Sequence, residues 1–177
     1  KPAPKNRHLT KDEARRLIEA ASLPHIKLAI HLMLATAARV SAILELTWDR
    51  VDIPRRRIHL IDPEAAHGKK GRATPPINKT LYAALQEAER GSLSGYVVEW
   101  GGERVKSIKK GIASAAKKAG LEDVSPHVFR HTAAVWMAEA GVPMSEISQY
   151  LGHSNQAITY RVYARYSPEH LRKAADA

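Results

Sequence analysis

Three features of this 177-residue chain predict a mostly α (α+β) fold with a small three-stranded antiparallel sheet. Apolar positions at helical spacing, with start and stop signals, recur along most of the sequence. Near the middle the texture changes: "RRRIHLID" and "RATPPI" flank the polar turn "EAAHGKKG", the pattern of a hairpin. The composition, 44% hydrophobic and 26% charged, suits one domain large enough to bury a core.

The elements follow in order. "LTKDEARRLIEAA" places Thr10 three residues before Glu13, a capping box, ahead of apolar Leu17, Ile18 and Ala21. Pro24 opens a second helix that runs to about Ala38. Its 13-residue stretch "IKLAIHLMLATAA" is too short to span a bilayer and holds Lys27 and His31, so it reads as a buried helix. Ser41 is placed to cap a short third helix, "AILELTW". After the hairpin come the helix "NKTLYAALQEAER" and a third strand, "GYVVEW". "VKSIKKGIASAAKKAG" is helical from Val105 and ends at Gly120. "SPHVFRHTAAVWMAEAG" starts with Ser125 as cap and Pro126 at the first helical position, and stops at Gly141. "PMSEISQYLGH" ends at Gly152, and a last helix carries Tyr160, Tyr163 and Tyr166 and fades at Ala177.

Composition narrows the function. Lys and Arg number 28 against 18 acidic residues, a net +10, which points to a polyanionic partner such as nucleic acid. With no cysteine, disulfides, Cys-zinc sites and thiol nucleophiles are excluded. "KPAPKNRHLT" is basic with no apolar run behind it, so no signal peptide is read there. Residues 1–8 are Pro- and Lys-rich and read as a linker from a preceding domain, with the folded domain at 9–177.

Several local patterns suit chemistry on a phosphate. In "SPHVFRH", His127 and Arg130 sit three apart in the first turns of a helix, beside free N–H groups and the positive end of the helix dipole. A basic first turn without function is the alternative. His127 and His131 are four apart, a metal-pair spacing, but without "HExxH" or a third ligand His131 reads as a hydrogen-bonded structural histidine. "AARVSAIL" puts Arg39 at the end of the buried helix, where a guanidinium needs an anion or an internal carboxylate. "LGHSN" sets His153 behind a left-handed glycine, and "HGKKGR" is a Gly-flanked basic loop. The three tyrosines, three residues apart, read alone as packing, because a free phenol with a pKa near ~10 is a poor nucleophile at neutral pH.

The order of these patterns is more specific than any one of them. An Arg after a buried helix, a basic hairpin, H-x-x-R, L-G-H and a Tyr ten residues on resembles the catalytic domain of the tyrosine recombinases, the phage-integrase family. The resemblance runs from "LTKDEARRLIEAA" to "YARYSPEHLRKAA". It implies that Arg39 and Arg130 clamp the scissile phosphate, His127 is the general acid/base and His153 donates to a phosphate oxygen. It further implies that Tyr163 is the nucleophile and that a hairpin lysine protonates the leaving 5′ oxygen. Aligning "TPPI" with the family's "VPL" favours Lys69 for that role over Lys70. The implied activity is site-specific cutting and rejoining of double-stranded DNA through a 3′-phosphotyrosine bond, without metal, ATP or other cofactor. Implied too are a homotetramer on recombination sites, a monomer for the isolated chain, no membrane partner, and a cytoplasmic location in a bacterium or phage host.

One departure stands out. The family's R-x-x-E pattern has Ala42 in place of the acid, removing support for the arginine and histidines. Two other readings stay open: a type IB topoisomerase, which resembles the family in fold and chemistry, and a DNA-binding module of the same fold with weakened catalysis, which Ala42 favours.

Overall fold

The computed structural model describes residues 6–61 and 73–176. Helix α1 (Lys11–Ala20) begins with the capping box as expected: Glu13 N–H donates to Thr10 Oγ1 at 3.1 Å, and Thr10 N–H donates to Glu13 at 2.8 Å. Helix α2 (Pro24–Thr36) is apolar almost all round and buries Ile26, Ala29, Ile30, Leu32 and Met33, which places it in the centre of the core. The short α3 (Val40–Leu44) follows a left-handed Ala37. Its cap is Arg39; Ser41, expected to cap it, lies inside the helix.

The strands differ from expectation in their pairing. Among the described residues the β structure is two two-stranded antiparallel ladders rather than one three-stranded sheet. β1 (Val51–Asp52) pairs with β2 (Arg57–Ile58), and a bridge from Arg57 to Pro76 adds the second arm of the expected hairpin. "GYVVEW" turns elsewhere. Its end forms β3 (Glu99–Trp100) against β4 (Glu103–Arg104), and its start bridges Thr47 through Tyr96. Only Glu99–Trp100 of the expected strand enters a ladder, and its partner β4 lies just across the two-residue turn Gly101–Gly102, a local hairpin. The Tyr96–Thr47 bridge joins residues 49 apart, after α4 (Lys79–Arg90) has returned the chain.

Helix α5 (Lys109–Lys118) starts four residues later than expected, after β4 (Glu103–Arg104) and a short connection. Gly120 follows its cap at φ +66°, the left-handed turn that glycine adopts without steric cost. Helix α6 (Pro126–Glu139) buries nine residues and packs across α2; Ser125 caps it by backbone geometry without a side-chain bond. Helix α7 (Met144–Leu151) ends at Gly152, φ +64°. The expected last helix is three pieces: α8 (Gln156–Tyr163), a 3-10 turn at Ala164–Tyr166, and α9 (Arg172–Ala175).

Two apolar clusters meet along α6. The larger joins α1 to α5 around Leu17, Ile30, Leu32 and Phe129; the smaller joins α6, α7 and α8 around Ala134, Ile147, Leu151 and Tyr163. The seam brings the end of α2, the first half of α6 and the end of α7 together. Every described candidate residue lies on or beside that seam.

Candidate active site

Arg130 is the centre of the cluster. It is 8% exposed, and its guanidinium donates to the Ala37 carbonyl at 2.7 Å and the Leu151 carbonyl at 2.8 Å. A third N–H reaches His153 Nε2 at 3.2 Å. These bonds tie the ends of α2 and α7 to α6, which is why Arg130 is fixed. Among the described residues no carboxylate pairs with it; burial, and then the nearby charge of Arg39, lower its pKa to about 10, so it is cationic at neutral pH. A buried cation with no anion beside it is costly, and it draws an anion in.

The contact with Arg130 decides the state of His153. A guanidinium only donates, so Nε2 accepts and the imidazole is neutral in this state. Its proton then sits on Nδ1, which donates to Thr159 Oγ1 at 2.8 Å. Burial and the charges of Arg130 and Arg39 hold its pKa below the ordinary histidine range. Thr159, fully buried on α8, was not singled out from sequence; a threonine in "AITYR" carries no local signal that it orients a histidine.

Arg39 departs from the sequence argument in one respect. It was expected to be buried, yet it is exposed as the cap of α3, because α2 ends at Thr36 and the left-handed Ala37 turns the chain outward. It still lies near enough to Arg130 and His153 to lower the pKa of both. Ala42, one turn on, is 2% exposed and packs in the larger cluster.

His127 is exposed on the first turn of α6, on the solvent side of the same helix that buries Arg130. His131 takes the structural place expected of it: 5% exposed, with Nδ1 3.2 Å from Tyr163 Oη. Burial, followed by the charges of His8, His127 and Arg165, lowers its pKa to about 4.

The tyrosines separate clearly. Tyr163 is 7% exposed in the smaller cluster; burial pushes its pKa up, and Arg130 opposes that shift. Tyr166 is half-buried against the same cluster, as its packing reading requires. Tyr160, also read as packing, is 64% exposed and is a surface aromatic. Lys69 and Lys70 lie outside the described residues.

Arg39, Arg130, His153 and Tyr163 are thus gathered into one electrostatically coupled group, while His127 sits on the exposed first turn of the helix that carries Arg130. A groove of about 440 Å³ between α2, α4 and β3, lined by His25, His31 and Trp100, contains none of them. No group of three metal-binding side chains occurs among the described residues.

Comparison with known proteins places the chain in a family. The phage integrase family model matches residues 7–170. The chain is 30% identical to the integrase of Salmonella phage P22, over 98% of this chain and 48% of that protein. It is 32% identical to the tyrosine recombinase XerA of Thermococcus kodakarensis, over 95% of this chain and 61% of that protein. The crystal structure of a XerA recombinase superposes with a TM-score of 0.78 at 28% identity, covering 99% of this chain and 66% of that one. The chain therefore spans about half to three-fifths of the length of these two curated relatives. Sequence order, fold and match agree that the chain belongs to the phage integrase family of tyrosine recombinases.

Proposed function

We propose that residues 9–177 form the catalytic domain of a site-specific recombinase that cuts and rejoins double-stranded DNA. The observation that carries this reading is Arg130: a buried guanidinium held by two carbonyls, beside Arg39 and His153, with no carboxylate among the described residues. A DNA phosphate is the anion that such a group takes. The +10 charge of the chain favours the same partner.

In the proposed reaction the scissile phosphate seats against Arg39 and Arg130. The two guanidiniums stabilise the negative charge that spreads over the phosphate oxygens in the transition state. Tyr163 Oη loses its proton and attacks phosphorus, with His127 as general acid/base. The P–O5′ bond breaks, and the leaving oxygen takes a proton from Lys69 or Lys70. A phosphate beside His153 raises that imidazole's proton affinity, so Nε2 gains a proton to donate where it now accepts one. The 3′-phosphotyrosine bond conserves the energy of the broken linkage, and attack by a second 5′-OH reverses the step. Neither metal nor ATP enters this balance. The assembly we infer is a homotetramer on two recombination sites.

The test is a nicked suicide duplex carrying the recombination site. Wild-type protein should form a covalent adduct, Tyr163→Phe none, and Tyr160→Phe and Tyr166→Phe should keep it; EDTA should leave the wild-type yield intact. Adduct persisting in Tyr163→Phe overturns the nucleophile, and loss in EDTA restored by Mg²⁺ overturns the chemistry. A second reading, a DNA-binding module with weakened catalysis, has Ala42 in its favour, since no carboxylate is supplied there. Tight DNA binding with no adduct from wild type would select it.

A further inference from the structure

His131 is a buried titratable group for which the proposed reaction has no use. It follows Arg130 on α6, and its ring lies tilted on Tyr163 with centroids 5.3 Å apart. His8 and Tyr166 stand edge-on to it at 6.1 and 6.5 Å. Its Nδ1 is the hydrogen-bond partner of Tyr163 Oη, while its Nε2 is buried with no partner among the described residues.

Two uses for this histidine fail on chemistry. A metal site would need further ligands, and none assemble around it among the described residues. A general base should titrate near working pH, whereas His131 is held at about 4 and the phenol above its ordinary range, so proton transfer between them is strongly uphill. A neutral imidazole can still accept the phenolic hydrogen and hold the ring where it is.

That place is a closed one. Tyr163 is 7% exposed, and among the described residues its hydroxyl bonds to neither arginine nor to His153. Attack requires the oxygen to come within ~3–3.5 Å of phosphorus. Tyr163 is the last residue of α8 and is followed directly by a 3-10 turn, so freeing it takes one terminal turn rather than a domain motion.

We propose that His131 is a positioning residue that latches the Tyr163 hydroxyl in a buried resting place, and that strand cleavage begins when this bond breaks. The consequence for cleavage rests on the recombinase reading, but the latch is a property of the protein without DNA. His131→Phe keeps an aromatic ring, somewhat larger than the imidazole, and removes the acceptor.

Nitration of the DNA-free protein by tetranitromethane, read by peptide mass, tests the latch. Exposed Tyr160 is the internal reference. Losing one hydrogen bond should speed nitration of Tyr163 relative to Tyr160 by about fivefold. His131→Asn, whose amide oxygen can accept near the Nδ1 position, should return the ratio toward wild type. On the suicide duplex, single-turnover adduct formation by His131→Phe should be faster by a similar factor. An unchanged nitration ratio in folded His131→Phe, or slower adduct formation, overturns the latch. Faster nitration with no adduct from either protein supports the latch and overturns the recombinase reading. If His131→Phe does not fold, ¹⁵N NMR of histidine-labelled protein decides: Tyr163→Phe should move the His131 ring-nitrogen signals, and unmoved signals refute the contact.

Discussion

A single threonine shows how finely this site depends on residues that touch no substrate. Thr159 accepts from His153 Nδ1, which leaves Nε2 facing Arg130. Thr159→Val keeps the volume but strands a partly buried N–H, a loss of about 1–3 kcal/mol. Adduct formation should fall about tenfold while DNA affinity holds, and equal losses in both would show a general collapse instead. His131 makes a pH prediction. Its folded pKa, about 4, lies below the ordinary histidine value, so the unfolded chain binds the proton more readily. The stabilisation from keeping it neutral is complete above about pH 6.5 and is lost as pH falls toward 4. Urea unfolding should show wild type losing about 2–3 kcal/mol more than His131→Phe between pH 7.5 and 4.5.

Among the elements, the seat of α5 depends on a missing side chain. A methyl group on Gly111 would come within 2.3 Å of Ile26 Cδ1 and 2.5 Å of Cγ1, and Ile26 is 3% exposed on α2. Elsewhere in a helix, Gly→Ala adds about 0.5–1 kcal/mol of stability. Here overpacking of about 1–3 kcal/mol outweighs that gain. Gly111→Ala should therefore lower the urea midpoint, and adding Ile26→Val, which removes Cδ1, should recover part of the loss. A Gly111→Ala protein more stable than wild type would refute the close packing of α5 on α2.

Across the whole molecule, charge and fold act together. The net +10 charge supplies the general attraction to a polyanion, and the seam between the two clusters gives it a focus at Arg130. Each phosphate contact should contribute about −0.9 to the slope of log affinity against log salt. Binding to a duplex should weaken by about a hundredfold or more between 50 and 200 mM salt. A flat profile would detach the charge from the DNA role. No described helix is long and apolar enough to cross a membrane.

Much was legible in the chain of residues alone, wherever the cause is local. The Thr10–Glu13 capping box, the Pro24 and Pro126 helix starts and the left-handed Gly120 and Gly152 depend on nearest neighbours, and the fold keeps them. The candidate residues could be named because motif order survives as sequence. Long-range pairing was not legible. The bridge from Tyr96 to Thr47, the exposure of Arg39, and the division of the three tyrosines between surface and core depend on which distant element arrives alongside. Tyr160 and Tyr163 have the same side chain three residues apart, yet one faces solvent and the other meets His131 across 32 positions of chain. Burial and electrostatic coupling arise from that juxtaposition, and no window of sequence contains both partners.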